Sequence, residues 1–217
     1  DYFTVPDSEP PPPSSLSSLE LREWLGHLYR QKLSPVSMRR KLATLRSFFR
    51  FLTRQGLAEV NTARLIRMPK APKTIPRVMT AEQTNALIDG VATSEMERPY
   101  QARDLAIFEF LYGCGLRVSE LVGLNLDDLD RTERWIRVRG KGRKERQVPF
   151  GAKADAALDR YLAERKPKPT EAAIFLNHRG TRLSDRSARS IVKFYATYLA
   201  GDPSVHPHSL RHAYATH

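Results

Sequence analysis

Cysteine is almost absent from this chain, with Cys114 its one thiol. No internal disulfide can form, and a reducing, cytoplasmic setting is expected. Set in an apolar stretch, Cys114 itself reads as a small core residue. No apolar run approaches the ~20 residues needed to span a bilayer. The N-terminus is acidic and then proline-rich, unlike a secretory signal. Acidic residues are also scarce, and none stands between Gln31 and Leu57. Over the whole 217 residues, 36 Lys and Arg outnumber 24 Asp and Glu, giving a net charge of +12 and a pI near 10.1. A balance that basic calls for a polyanionic partner, either nucleic acid or an anionic membrane surface. The membrane is disfavoured because no basic helix pairs its charged face with exposed Trp or Phe; Phe49 and Phe51 are expected in the core. The chain is 41% apolar and 28% charged, enough for a packed core under a solvated surface.

Helical periodicity dominates what is present. Residues 1–15, with Pro10 to Pro13 and flanking serines, are expected to pack neither a helix nor a central strand. Ser17 and Glu20 predict a capping box, followed by Leu21, Trp24, Leu25 and Leu28 at helical spacing. A second helix is predicted after Pro35, with Met38, Leu42, Leu45, Phe49 and Leu52 on one face and Gly56 at its end. Its other face carries Arg39, Arg46, Arg50 and Arg54 at intervals of seven, four and four. Such a stripe suits a solvated face, but one needing only solubility would mix signs to gain i,i+4 pairs, whereas a phosphate-facing helix excludes acids. Pro69, Pro72 and Pro76 predict an extended linker over 68–78, kept positive by Lys70, Lys73 and Arg77. Domains are therefore expected at 1–67 and 79–217.

The second domain is predicted to open with a Thr80–Gln83 capping box and a helix to about Val91. Further helices are expected over 101–112, from about Val118, and over 152–165 and 185–200. The alternating residues 134–139 and 145–150 predict two strands joined by a glycine- and lysine-rich turn from Gly140 to Lys144. The fold class is thus mainly α with a small antiparallel β-hairpin.

Three segments carry candidate chemistry: Gly113 to Leu121 (GCGLRVSEL), Gly140 to Arg146 (GKGRKER) and His208 to His212 (HSLRH). Singly, each has an ordinary reading. Arg117 can be a surface arginine beside Glu120, and the turn a polar loop. His208 and His212, at i,i+4, could bind zinc, but Arg211 beside them and the lack of a nearby carboxylate or thiolate disfavour it. Together the segments supply what metal-free attack on a phosphodiester requires. Arg117 and Arg211 can clamp the non-bridging oxygens of a pentacovalent phosphorane. Lys141, between two glycines, can protonate a leaving 5′ oxygen. His208 can assist the proton of an attacking hydroxyl near neutral pH.

The order GLRVSEL, GKGRKERQVPF, HSLRHAYATH resembles the tyrosine site-specific recombinases, most closely their Xer-type and phage-integrase branch. The resemblance covers the second domain; the arginine-striped helix and proline linker are similar to that family's core-binding domain. It implies a helical core-binding domain followed by an α+β catalytic domain. It also implies DNA strand cleavage and rejoining through a 3′-phosphotyrosyl intermediate, with no metal, nucleotide or redox cofactor. Arg117 and Arg211 would be the phosphate-binding arginines, Lys141 the general acid, His208 the histidine before the second arginine, and Glu120 the acidic buttress. Arg39, Arg46, Arg50, Arg54, Lys70, Lys73, Arg77, Arg143 and Lys144 are the candidate DNA contacts. The family has further N-terminal helices, and past the HSLRH-like segment a His or Trp, the nucleophilic Tyr and a helix that docks on a neighbouring subunit. The chain stops at His217, before these, and Tyr214 comes too early to be the nucleophile. A trimmed form is therefore expected that is monomeric without DNA and binds double-stranded DNA without cleaving it, from a parent that works as a tetramer on two DNA sites. A non-catalytic DNA-binding module and a type IB topoisomerase are the alternatives.

Overall fold

The structure, a computed structural model, describes residues 2–4, 7, 9–67, 70, 79–94, 98–140 and 144–217. The chain divides into two compact units, Asp1–Ile75 and Pro76–His217. Lys73, Arg77, Lys141 and Arg143 fall outside the described residues.

In the first unit, helices α1 (Ser18–Arg30) and α2 (Pro35–Arg54) are followed by a 3-10 turn, Thr62–Leu65. Both starts follow local chemistry. The Ser17 hydroxyl accepts from the Glu20 amide while the Glu20 carboxylate accepts from the Ser17 amide, closing the expected capping box. Ser34 caps α2 ahead of Pro35, whose missing N–H costs nothing in the first turn. Leu21, Leu25 and Leu28 meet Met38, Leu42, Phe49 and Leu52 in the core, closed by Ala63 and Ile66. Phe51, expected in that core, is 54% exposed. It lies two residues past Phe49, about 200° round the helix, and so faces away.

The second unit is built around helix α4 (Gln101–Gly113). Its residues from Ala102 to Phe108 are all buried, as are Phe110 and Leu111. A helix buried on nearly every side must be wrapped by others. Around it are α3 (Ala81–Thr93), α5 (Val118–Gly123), α6 (Ala152–Glu164), α7 (Asp185–Ala200) and α8 (Pro207–Thr216). Three antiparallel strands, β1 (Leu129–Asp130), β2 (Trp135–Arg139) and β3 (Glu145–Pro149), form a sheet in the order β1-β2-β3. The two-residue β1 was not foreseen, because it is too short to show alternation. Ile136 and Val138 of β2 are fully buried, and Val138 pairs with Arg146 across the hairpin.

Just before β1 stands Asp128, whose side chain is 2% exposed and accepts from both Arg137 and Arg139. Two guanidiniums on one buried carboxylate offset its desolvation and pin β2 where it enters the turn. Arg182 does similar work by donating to the Val122 and Leu124 carbonyls, which fixes the end of α5.

Candidate active site

Three stretches far apart in sequence converge on one carboxylate. Arg117 precedes α5 and Glu120 is the third residue of that helix, so Glu120 reaches back to the Arg117 amide at 2.8 Å. It also accepts from Arg117 Nη1 at 2.7 Å. Arg146, from β3, grips both oxygens, Nη1 to Oε1 and Nη2 to Oε2, each at 2.9 Å. Arg211, from α8, donates to Glu120 Oε2 at 3.4 Å and to the Gly115 carbonyl. One negative charge thus holds three positive ones, leaving a cationic cleft.

The carboxylate is only 4% exposed, yet Arg117 keeps 60% of its side chain in solvent. Burial pushes the Glu120 acid up, but hydrogen bonds from Arg146 and Arg117 outweigh it and bring it down to about 2. Burial and the nearby Arg117 charge lower the Arg211 pKa. Both arginines are held on one side by fixed acceptors and keep further N–H groups for an anion. The cleft is lined by Arg117, Ser119, Glu120, Arg139, Gly140, Lys144, Glu145 and Arg146.

Gly115 shapes the floor of this site. Its φ of +57° suits glycine, and an added Cβ would lie 2.2 Å from Tyr214 Cδ1. The Tyr214 ring therefore sits directly on the Gly115 backbone, the same residue whose carbonyl receives Arg211. His208 is exposed in the first turn of α8, three residues before Arg211, with its ring stacked on His212 at 6.3 Å between centroids. His206 caps α8 against Ser209, and burial followed by the His208 charge lowers its pKa. Among the described residues no cluster of His, Cys, Asp and Glu could hold a metal ion.

The remaining expected contacts separate. Arg39, Arg50 and Arg54 are exposed on α2; Lys70 and Lys144, outside that helix, are exposed as well. Arg46 is turned inward: Nε donates to Ala63 O at 3.2 Å, and Nη2 donates to Ile66 O. It ties the 3-10 turn to α2, a long-range contact that its helical spacing with Arg39 and Arg50 does not reveal. Arg146 was not singled out from the sequence. Strand alternation was the available signal, since Arg146 shares a face with the buried Val148, two residues on.

Residues 77–217 match the model of the phage integrase family, and residues 9–56 match its N-terminal SAM-like domain. The chain belongs to the phage integrase family. Among members, it is 42% identical over 201 residues to the tyrosine recombinase XerC of Chromobacterium violaceum, covering 93% of this chain and 66% of that one. The XerC of Thermodesulfovibrio yellowstonii is 41% identical over 212 residues, covering 94% and 69%. The chain thus spans about two thirds of the length of these relatives. In fold it is similar to the Tn1549 transposon integrase in complex with circular intermediate DNA, at TM-score 0.75 and 23% identity over 95% of this chain and 74% of that one. It is likewise similar to the XerH recombinase bound to palindromic difH substrate, at TM-score 0.75 and 20% identity over 93% and 61%.

Proposed function

We propose that the protein is a site-specific DNA recombinase that cleaves and rejoins strands through a 3′-phosphotyrosyl link. Residues 1–67 act as a DNA-binding domain, 68–78 as a linker and 79–217 as the catalytic domain. The observation that carries the reading is the gathering of Arg117, Arg146 and Arg211 on the buried Glu120. In this reading Arg117 and Arg211 donate to the two non-bridging oxygens of the scissile phosphate. A donor aimed at charge that develops in the transition state contributes about 10²–10³ in rate. A tyrosine oxygen attacks phosphorus and the bond to the 5′ oxygen breaks, with Lys141 supplying the proton to the leaving hydroxyl. His208 assists the tyrosine proton. The freed 5′ hydroxyl of a partner strand then reverses the chemistry, so bond energy is retained. Tyr214 is not assigned the attacking role, since its ring is packed on Gly115.

Exposed Arg39, Arg50, Arg54, Lys70 and Lys144, with Lys73, Arg77 and Arg143, are read as phosphate contacts. The XerH and Tn1549 integrase structures contain DNA, which supports duplex DNA as the partner. Among the described residues no helix is long and apolar enough to cross a membrane. We place the activity in the cytoplasm, with four subunits on two DNA sites during exchange.

The test is trapping on a nicked duplex, read on a denaturing gel, using the longest natural form of the protein. A covalent adduct that disappears in Lys141→Ala while duplex binding persists is the expected result. Binding with no adduct from any form would leave a DNA-binding module. An adduct with relaxation of single duplexes and no need of a second site would move the reading to a topoisomerase.

A further inference from the structure

We infer that Arg146 is a positioning residue of this reaction, fastening strand β3 to the carboxylate that orients Arg117 and Arg211. The inference rests on the function proposed above. Arg146 is the second residue of β3 and stands opposite Val138, which is fully buried, so alternation turns its side chain toward α5 rather than outward. There it meets Glu120 in a two-pronged pair, 2.9 Å on each prong. That geometry fixes direction as well as distance, because a planar guanidinium and a planar carboxylate lock together.

The opposite arm of the hairpin is held differently. Arg139, the last residue of β2, is tied to Asp128 and to Glu145. The two arms are therefore anchored to separate carboxylates, β2 to Asp128 and β3 to Glu120. Only the second carboxylate also touches Arg117 and Arg211 among the described contacts. Moving β3 relative to α5 would move the hairpin away from both arginines. In sequence, Lys141, the proposed proton donor, lies between β2 and β3. Arg146 acts through Glu120 and the strand that carries it.

The test compares wild type with Arg146→Ala, Arg146→Lys and Lys141→Ala in the longest natural form. Duplex binding and single-turnover cleavage are measured on an ordinary site and on one whose scissile 5′ bridging oxygen is replaced by sulfur. In the second substrate the P–S bond breaks and a thiolate leaves without needing a proton. Misplacement of a catalytic group by about 1 Å costs ~10²-fold, so Arg146→Ala should cleave the ordinary site about that much more slowly with binding retained. The sulfur substrate should relieve most of this loss, as it does for Lys141→Ala. Arg146→Lys, which keeps the charge but cannot bridge both oxygens, should show an intermediate loss with the same relief and a wild-type melting temperature. Wild-type cleavage by Arg146→Ala would overturn the inference. So would a defect that sulfur leaves untouched while relieving Lys141→Ala. No adduct from the wild type would instead defeat the proposed function.

Discussion

At the residue scale, Glu120 makes the sharpest prediction. Its folded pKa lies near 2 against an ordinary value of 4.5. A depressed carboxylate contributes stability that is complete above the unfolded pKa and is lost as pH falls through the folded one. The loss should therefore run between about pH 4.5 and pH 2. Glu120→Gln should flatten that part of an acid-denaturation curve and lower stability at pH 7, measured by urea unfolding at several pH values. Gly115→Ala should cost about 1–2 kcal/mol from the left-handed backbone alone. The contact with Tyr214 adds to that, and the variant's melting temperature and DNA affinity should both fall. Cys114 is 3% exposed, and burial, then the Glu109 charge, pushes its thiol up to about 12. It should resist iodoacetamide at pH 8 in the native protein and react fully in guanidinium; rapid native labelling, read by mass spectrometry, would contradict this.

At the scale of elements, α2 separates two kinds of arginine that look alike in sequence. Arg50 is exposed, whereas Arg46 holds the carbonyls of Ala63 and Ile66, and Asn61 closes the loop by donating to Arg46 O at 2.9 Å. Arg46→Ala should destabilise the first unit by about 1–3 kcal/mol, the usual range for carbonyls left without a charged donor. Arg50→Ala should leave stability nearly unchanged and weaken duplex binding instead. Thermal melts and binding titrations on the same two variants distinguish the roles. If Arg46→Ala proved as stable as wild type while losing DNA affinity, the inward contacts would be incidental. The hairpin follows the same logic, with its arms held by Asp128 and Glu120 rather than by apolar packing alone.

At the scale of the whole molecule, the governing quantity is the charge of +12. Binding by phosphate neutralisation releases counterions, so affinity should fall steeply with salt. About six phosphate contacts would give a drop of roughly 10³-fold between 50 and 200 mM salt. A slope near zero in a salt titration would show that the exposed arginines of α2 and the lysines beyond it do not face the duplex. Each phosphate-contacting side chain removed should reduce the slope by about one contact, whereas Glu120→Gln should leave the slope nearly unaltered.

The sequence by itself determined the elements and the chemistry available to them. Capping at Ser17 and Thr80, the apolar face of α2 and the alternation of β2 are local signals, set within a few residues and legible as such. Arg117, Lys141, His208 and Arg211 stood out because their short segments fit one reaction together. Only the tertiary structure decided which side chains share a partner. That Arg146 joins Arg117 and Arg211 on Glu120, that Arg46 turns inward and that Phe51 does not enter the core are matters of long-range packing. A carboxylate gathers cations separated by 26 and 91 residues because burial leaves it no water to bind. Spacing along one helix or strand carries no record of that demand.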